Sequence, residues 1–312
     1  MGRYLVRRLA YVAPIWLLIS FFAFLLATLA PGDPAELLLR SQSDQAPSAE
    51  DVARVRGELG LDAPFVVRYA RWVGHAVEGD LGRSYRTREP VLHELSGRFL
   101  VTAQLAVPAL ALALLIAVPL GVVCAVKHNS VVDHGSRLAA LIGSSMPSYW
   151  LGYVLIVLFA VKVEWFPVAG RGGVRHMVLP ALTLALGSSA ILTRLTRASL
   201  LESLGDDYVR TARSKGLRER AVVVRHALRN SLIPVATVAG LRFGHLLGGA
   251  VFVETVFAWP GVGKFVVDSI YARDYPVIQG FVLFTGTVFL VVNLLVDLLY
   301  ARLDPKVRLV AS

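Results

Sequence analysis

The densest chemistry in this 312-residue chain lies in residues 206–235, DDYVRTARSKGLRERAVVVRHALRNSLIPV, which hold seven Lys or Arg against three Asp or Glu. Such a stretch can anchor a loop beside a membrane, read DNA or dock on another protein. Catalytic patterns are missing elsewhere. WPGVGKF, residues 259–265, ends like a phosphate loop, but the spacing needs Gly at Ala258 and Ser or Thr at Phe265. There is no His-Glu-x-x-His, Cys-x-x-Cys or Gly-x-Ser-x-Gly. His75, His93, His128, His134, His176, His226 and His245 are scattered, with no pair at ligand spacing on one membrane helix, so no metal site is expected. Cys124, the only cysteine, reads as a small packing residue. Catalysis is not expected from this chain, and the energy for any transport must come from a partner or an ion gradient.

The elements that must position the basic stretch are apolar. Hydrophobic residues make up 55% of the chain, charged residues 17%, and the mean hydropathy is +0.61. Charge is absent from 9–32, 99–126, 138–161, 176–193 and 275–296, and 233–253 is broken only by Arg242. At ~1.5 Å per residue each run crosses most or all of a ~30 Å hydrocarbon core. Soluble helices rarely stay uncharged for so long. The expectation is an all-α polytopic membrane protein with six transmembrane helices. The first run, at 24 residues, exceeds the ~7–15 of a signal h-region and reads as a retained helix.

Lys and Arg near the span ends orient the chain. With the N-terminus inside, the inner side collects Arg3, Arg7, Arg8, Lys127, Arg137, nine more from Arg194 to Arg229, then Arg302, Lys306 and Arg308. The short outer loops hold only Lys162, Arg171, Arg175, Lys264 and Arg273. Both termini and the basic stretch are therefore expected in the cytoplasm, and topology explains much of the net charge of +10 without nucleic acid.

Pro31-Gly32-Asp33-Pro34 should end the first helix. SAEDVARVRGELGL should form a short helix capped by Ser48 with Asp51 three residues on, and a second helix should end near Gly79. Pro108, Pro119, Pro147 and Pro180 should break several spans, which suits a pathway. Gly240, Gly244 and Gly248 form a small-residue stripe fit for close helix contact. In the basic stretch, Asp206 and Asp207 suit a helix N-terminus, Arg213 and Lys215 its C-terminus, and Gly216 a left-handed end. A second helix follows, with Leu217, Ala221, Val224 and Leu228 along one face. Ala212 and Gly216 keep the turn slim enough for another protein to approach. A DNA-reading helix-turn-helix has a similar geometry, but membrane spans tether this segment at both ends.

Ala212, Gly216 four residues later and Leu228 twelve beyond resemble the EAA loop of ABC-importer permeases. The chain as a whole resembles the dipeptide and oligopeptide B-subunit type, through YLVRRLAYVAPIW, LAPGDPA, LGLDAPF, GDLGRSY, SMPSYWLG, LPALTLAL, DYVRTARSKGL, HALRNSLIPV, VETVFAWPGVGK, ARDYPVIQG and NLLVDLLYARLDP in order. Arg229 and His226 depart from the general importer pattern of Pro and Ile, as the peptide branch does. The resemblance implies type I ABC-importer permease architecture in the bacterial inner membrane. It also implies a second homologous permease subunit, two ATPase subunits or domains, and an extracytoplasmic solute-binding protein. Membrane lipid surrounds the spans, and nucleic acid has no part. This chain would hold no cofactor, ATP and Mg belonging to the partner ATPases. Coupling would fall to Tyr208, Ala212, Arg213, Lys215, Gly216 and Leu217, and cargo would be short peptides, with nickel chelates, glutathione or haem as alternatives.

The translocation pathway is assigned to Ser145, Pro147, Arg242, His245 and Asn293. Arg242 is the one charge deep in a span, and it either attracts a peptide carboxylate or pairs with the second permease or helix carbonyls. The expected organisation is 1–98 as first helix and outer segment, 99–304 as transmembrane core with a coupling loop at 200–231, and 305–312 as cytoplasmic tail. A secondary transporter driven by protons or ions is the competing reading. It is expected to carry intramembrane acids, and only Glu254 and Asp297, at span edges, come near.

Overall fold

Every uncharged run falls largely in helix in the computed structural model, which describes residues 2–41 and 46–303. The expected tail, 305–312, lies outside the described residues. Without water, a backbone inside hydrocarbon satisfies its N–H and C=O groups only through helix or closed barrel. The order is α1 Gly2–Leu29, α2 Pro34–Arg40, α3 Ala49–Glu58, α4 Phe65–Val77, α5 Val91–Val126, α6 Val131–Ser145 and α7 Ser148–Leu155, which runs on as a π-helical segment Ile156–Lys162. Then come α8 Val174–Gly205, α9 Asp207–Ser214, α10 Glu219–Ala221 with a π-helical segment Val222–Ala227, α11 Leu228–Gly249, α12 Val251–Val256, α13 Val262–Tyr271 and α14 Tyr275–Leu303.

Five helical stretches are long and apolar enough to cross a membrane, and the pair α6 and α7, bent by 105°, makes a sixth candidate. The bend falls at Met146-Pro147, with Pro147 extended at φ −59°, ψ 135°. The other prolines behave differently from expectation. Pro108 and Pro119 lie inside a continuous 36-residue α5, and Pro180 lies inside α8. A proline costs one backbone hydrogen bond and a clash with the preceding turn, which a surrounding bundle tolerates. Only Pro147 marks a break, because the residue before it is pushed out of helical geometry there: Met146 sits at φ −78°, ψ 129°.

The chain forms two compact units, Met1–Val101 with Pro260–Leu290, and Thr102–Trp259 with Val291–Ser312. In the first, Asp33 caps α2 and Ser48 caps α3, accepting from the Asp51 N–H as the sequence suggests. Leu81, Val91, Leu95, Val262, Phe265, Val277 and Leu283 form its core. Asp274, just before α14, organises the loop ahead of α5. Its carboxylate accepts from Ser84 Oγ at 2.5 Å and Tyr85 N at 3.1 Å. Burial, and then the nearby Asp274 charge, push the Tyr85 phenol up to about 12, so it stays neutral. Tyr275 Oη donates to Pro31 O at 2.6 Å and Trp16 Nε1 donates to Thr287 Oγ1 at 3.0 Å, tying α1 to α14.

In the second unit α8 is the spine, packed by α6, α7 and α11. Its middle contacts are small and branched side chains: Ala113 and Ala117 of α5, Ala185 and Leu192 of α8, Val235 and Ala239 of α11. Cys124 is buried, in line with a packing role. The glycine stripe is used unevenly. A Cβ on Gly240 would lie 2.3 Å from Val296 Cγ2, whereas one on Gly248 would meet nothing within 4 Å. Close approach is seen at Gly240, and Gly244 is buried between the two.

Asp274→Ala removes the acceptor of a buried hydroxyl and a backbone N–H. It is expected to cost about 3 kcal/mol and to lower the melting temperature of the detergent-purified protein, while Gly57→Ala, where a Cβ meets nothing within 4 Å, leaves it unchanged.

Candidate functional site

The basic stretch folds as two short helical pieces around a left-handed glycine. Asp206 and Asp207 begin α9, the helix ends at Ser214, and Gly216 follows at φ +76°. An L-residue in that region pays roughly 1–2 kcal/mol, so backbone geometry alone favours glycine here. A Cβ at Gly216 would meet nothing within 4 Å. The space beside it is open on the outside of the loop. Arg213 reaches across the turn to Glu219 through Nη2 at 2.7 Å and Nε at 3.1 Å. Both partners are exposed, so this pair sets geometry more than stability.

The inner face of the loop is apolar. Val209 and Ala212 of α9 pack with Val222, Val223 and Ala227, against Ala125 of α5 and Leu200 of α8. Ala212 therefore owes its small size to packing inside its own chain, which differs from the expected role of admitting a partner. The expected apolar stripe on the second piece also changes. Val224 is 52% exposed and Leu217 42%, while Val222, Val223 and Ala227 are buried. The π-helical segment widens the turn, so spacing computed for 3.6 residues per turn picks the wrong face. What remains outward is a mixed surface: Tyr208, Leu217 and Val224 as apolar points among Arg210, Lys215 and Arg218.

The assigned pathway residues lie on several elements of the same unit. Ser145 ends α6, is exposed, and donates to Leu141 O at 2.9 Å. Pro147 is exposed at the bend. Arg242 is half-buried on α11, and no ion pair holds it among the described residues. His245 is exposed. Asn293 of α14 is half-buried, and its Oδ1 has no hydrogen-bond partner among the described residues. No hydrogen bond or ion pair joins Ser145, Arg242 and Asn293 to one another among those residues. No group of three His, Cys, Asp or Glu among them is placed to hold a metal ion.

Two polar contacts escaped the sequence reading. Glu254, read there as a span-edge acid, is fully buried and accepts from Thr102 Oγ1 at 2.5 Å. Asp133, also fully buried, takes a two-pronged contact from Arg197, Nε to Oδ1 at 2.6 Å and Nη2 to Oδ2 at 2.7 Å. The one signal for Glu254 was an acid alone in an apolar run; Asp133 looked like an ordinary capping residue beside Ser130.

The description "binding-protein-dependent transport system inner membrane component" matches residues 117–309, and its N-terminal companion matches residues 1–106. This chain belongs to the ABC-importer permease family. Within that family it is similar to the glutathione transport system permease protein GsiC of Salmonella paratyphi A, 42% identical over 99% of each chain. The GsiC of Escherichia coli K12 is 41% identical over the same shares. Among solved structures, the inward-facing MetNI methionine ABC transporter aligns with a TM-score of 0.57 and 17% identity, covering 69% of this chain and 99% of that one. That likeness concerns the fold alone. The permease is a multi-pass inner-membrane component and not itself an enzyme. Family membership sets the ion-driven secondary transporter aside.

Gly216→Ala is expected to cost ~1–2 kcal/mol locally, seen as several-fold faster amide exchange in α9. Gly216→Asn, which tolerates the left-handed region better, should exchange less. Identical exchange in both variants and the parent would show that the turn does not need a left-handed residue.

Proposed function

We propose that this permease forms half of the membrane pathway of an ATP-driven importer for short peptides, with glutathione, a tripeptide, as the first cargo to test. The observation that carries the cargo is the 42% identity over 99% of both chains with a glutathione transport permease. In this reading a second permease completes the pathway, two ATPase subunits hold ATP and Mg²⁺, and an extracytoplasmic binding protein delivers the peptide. Both termini face the cytoplasm. The outward surface of 208–224 then seats in a groove of the ATPase, with Tyr208, Leu217 and Val224 as apolar contacts. Ala212 and Arg213 act from behind, one by packing the loop on its own core and the other by holding Glu219 across the turn. ATP-driven closure moves the loop as a unit and rocks α8 and α11 between outward and inward states.

Arg242 supplies the cationic point in the spans. A charge near the bilayer centre costs ~2.5–3.5 kcal/mol on insertion scales. A peptide carboxylate, of which glutathione has two, offsets that cost during passage.

Reconstitution with the ATPases and binding protein should give ATP-dependent uptake of glutathione and of short peptides. Uptake of neither overturns the cargo. Arg242→Gln should lower uptake about tenfold or more while assembly and basal ATP hydrolysis persist, and unchanged uptake removes Arg242 from the pathway. Gly216→Trp should keep ATP hydrolysis but lose uptake. For topology, Glu50→Cys should react with an impermeant thiol reagent added outside, and Lys215→Cys only after the inner membrane is opened; the reverse pattern inverts the orientation.

A further inference from the structure

A cleft of about 700 Å³ opens between α6 and α8, lined by His128, His134, Arg137, Leu138, Leu141, Arg194 and Arg197 among others. Its walls follow from helix geometry. His134, Arg137, Leu138 and Leu141 are spaced i, i+3, i+4, i+7 and share one face of α6. Arg194 and Arg197 stand three apart on α8 opposite. The acid in this neighbourhood is Asp133, and it is already used: Arg197 grips both its oxygens, and Asn129 N–H donates to it at 3.0 Å. Neither Arg137 nor Arg194 forms a close ion pair among the described residues, although the Arg137 charge also acts on Asp133, and both are exposed. Leu138 is 59% exposed and Leu141 55% exposed, one turn further along the same face.

The tendency of Lys and Arg to collect on the inner side explains why such residues occur here. It does not explain their convergence from two helices on one concave surface with an apolar strip running away from it. That pattern, cation at the water side and leucine toward the hydrocarbon, is the complement of an anionic phospholipid. We propose that the α6–α8 cleft is a binding site for an anionic phospholipid of the inner leaflet. Arg137 and Arg194 hold the headgroup phosphate, and an acyl chain lies along Leu138 and Leu141. Arg197 stays with Asp133 and fixes the spacing of the two helices. The bound lipid would then sit against the bent pair α6–α7, beside the break at Pro147. The inner-leaflet assignment rests on the orientation proposed above.

The test uses the assembled transporter in lipid nanodiscs carrying a photoactivatable phosphatidylglycerol, with the labelled peptides mapped after illumination. Labelling is expected on 134–142 of α6, and a photoactivatable phosphatidylcholine should label that segment several-fold less. Arg137→Gln with Arg194→Gln should reduce the phosphatidylglycerol label roughly tenfold, while Arg137→Lys with Arg194→Lys retains most of it; assembly of both variants is checked by co-elution. Undiminished label in the Gln variant, or label spread evenly over the spans, overturns the proposal. Excess inorganic phosphate should leave the label intact, and its loss would make the cleft a site for soluble anions instead. A Leu141→Cys cross-link to the second permease in place of lipid label also overturns it. Orientation is read separately with His128→Cys, which an impermeant thiol reagent should reach in inverted but not right-side-out vesicles. The reverse result moves the site to the other leaflet without removing it.

Discussion

Between two helices in hydrocarbon there is no hydrophobic driving force, because lipid tails are as apolar as leucine, so close packing and a few buried polar contacts must set their arrangement. The contact between Asp133 and Arg197 shows how much rests on such a point. A fully buried carboxylate is costly unless paired and hydrogen-bonded, and here both oxygens are engaged by one planar guanidinium. The pair therefore fixes the axial position of α6 on α8, the helix on which α7 and α11 also pack. Removing Arg197 leaves the Asp133 carboxylate buried without its two-pronged partner, holding the Asn129 N–H. Thr102 and Glu254 do the same for α5 and α12, and Ser84 and Asp274 for the loop before α5 within the other unit.

With α6 and α8 held in register, the loop that follows α8 has a defined platform. Leu200 from the end of α8 and Ala125 from the end of α5 receive Val209, Ala212, Val222, Val223 and Ala227. The loop is thus attached through an apolar interior, and its outward side stays free for charged residues and three exposed apolar side chains. A surface carried on a packed base can transmit a push to α8 and α11 in a way that a floppy tether cannot. Gly216 contributes by geometry alone: it turns the backbone at φ +76° so that Arg213 can face Glu219.

The same division of labour explains the bent pair α6 and α7. Pro147 breaks the helix where Met146 turns extended, and α7 then leaves α6 at 105°. Pro108, Pro119 and Pro180 do no such thing, since their neighbours remain helical, whether the proline is buried like Pro180 or exposed like Pro119. Proline is a local constraint whose outcome depends on what the preceding residue and the adjacent helices allow.

By itself the sequence determined that the chain is helical and membrane-spanning, where the apolar middle of each span falls, and that a two-part basic loop turns at Gly216. These follow from local physics: uncharged length against bilayer thickness, capping chemistry at Ser48, and the conformational freedom of glycine. The motif order also pointed to the permease family. Tertiary structure alone decided which face of each piece is inside. Ala212 turned inward because α9 packs on Ala125 and Leu200, and Val224 outward because a π-helical segment altered the period, which no pattern of single residues announces. It alone paired Asp133 with Arg197 across 64 positions and buried Glu254 against Thr102, since contacts between distant residues depend on how helices pack. And it alone brought Arg137 and Arg194, unremarkable members of two basic runs, to opposite walls of one cleft.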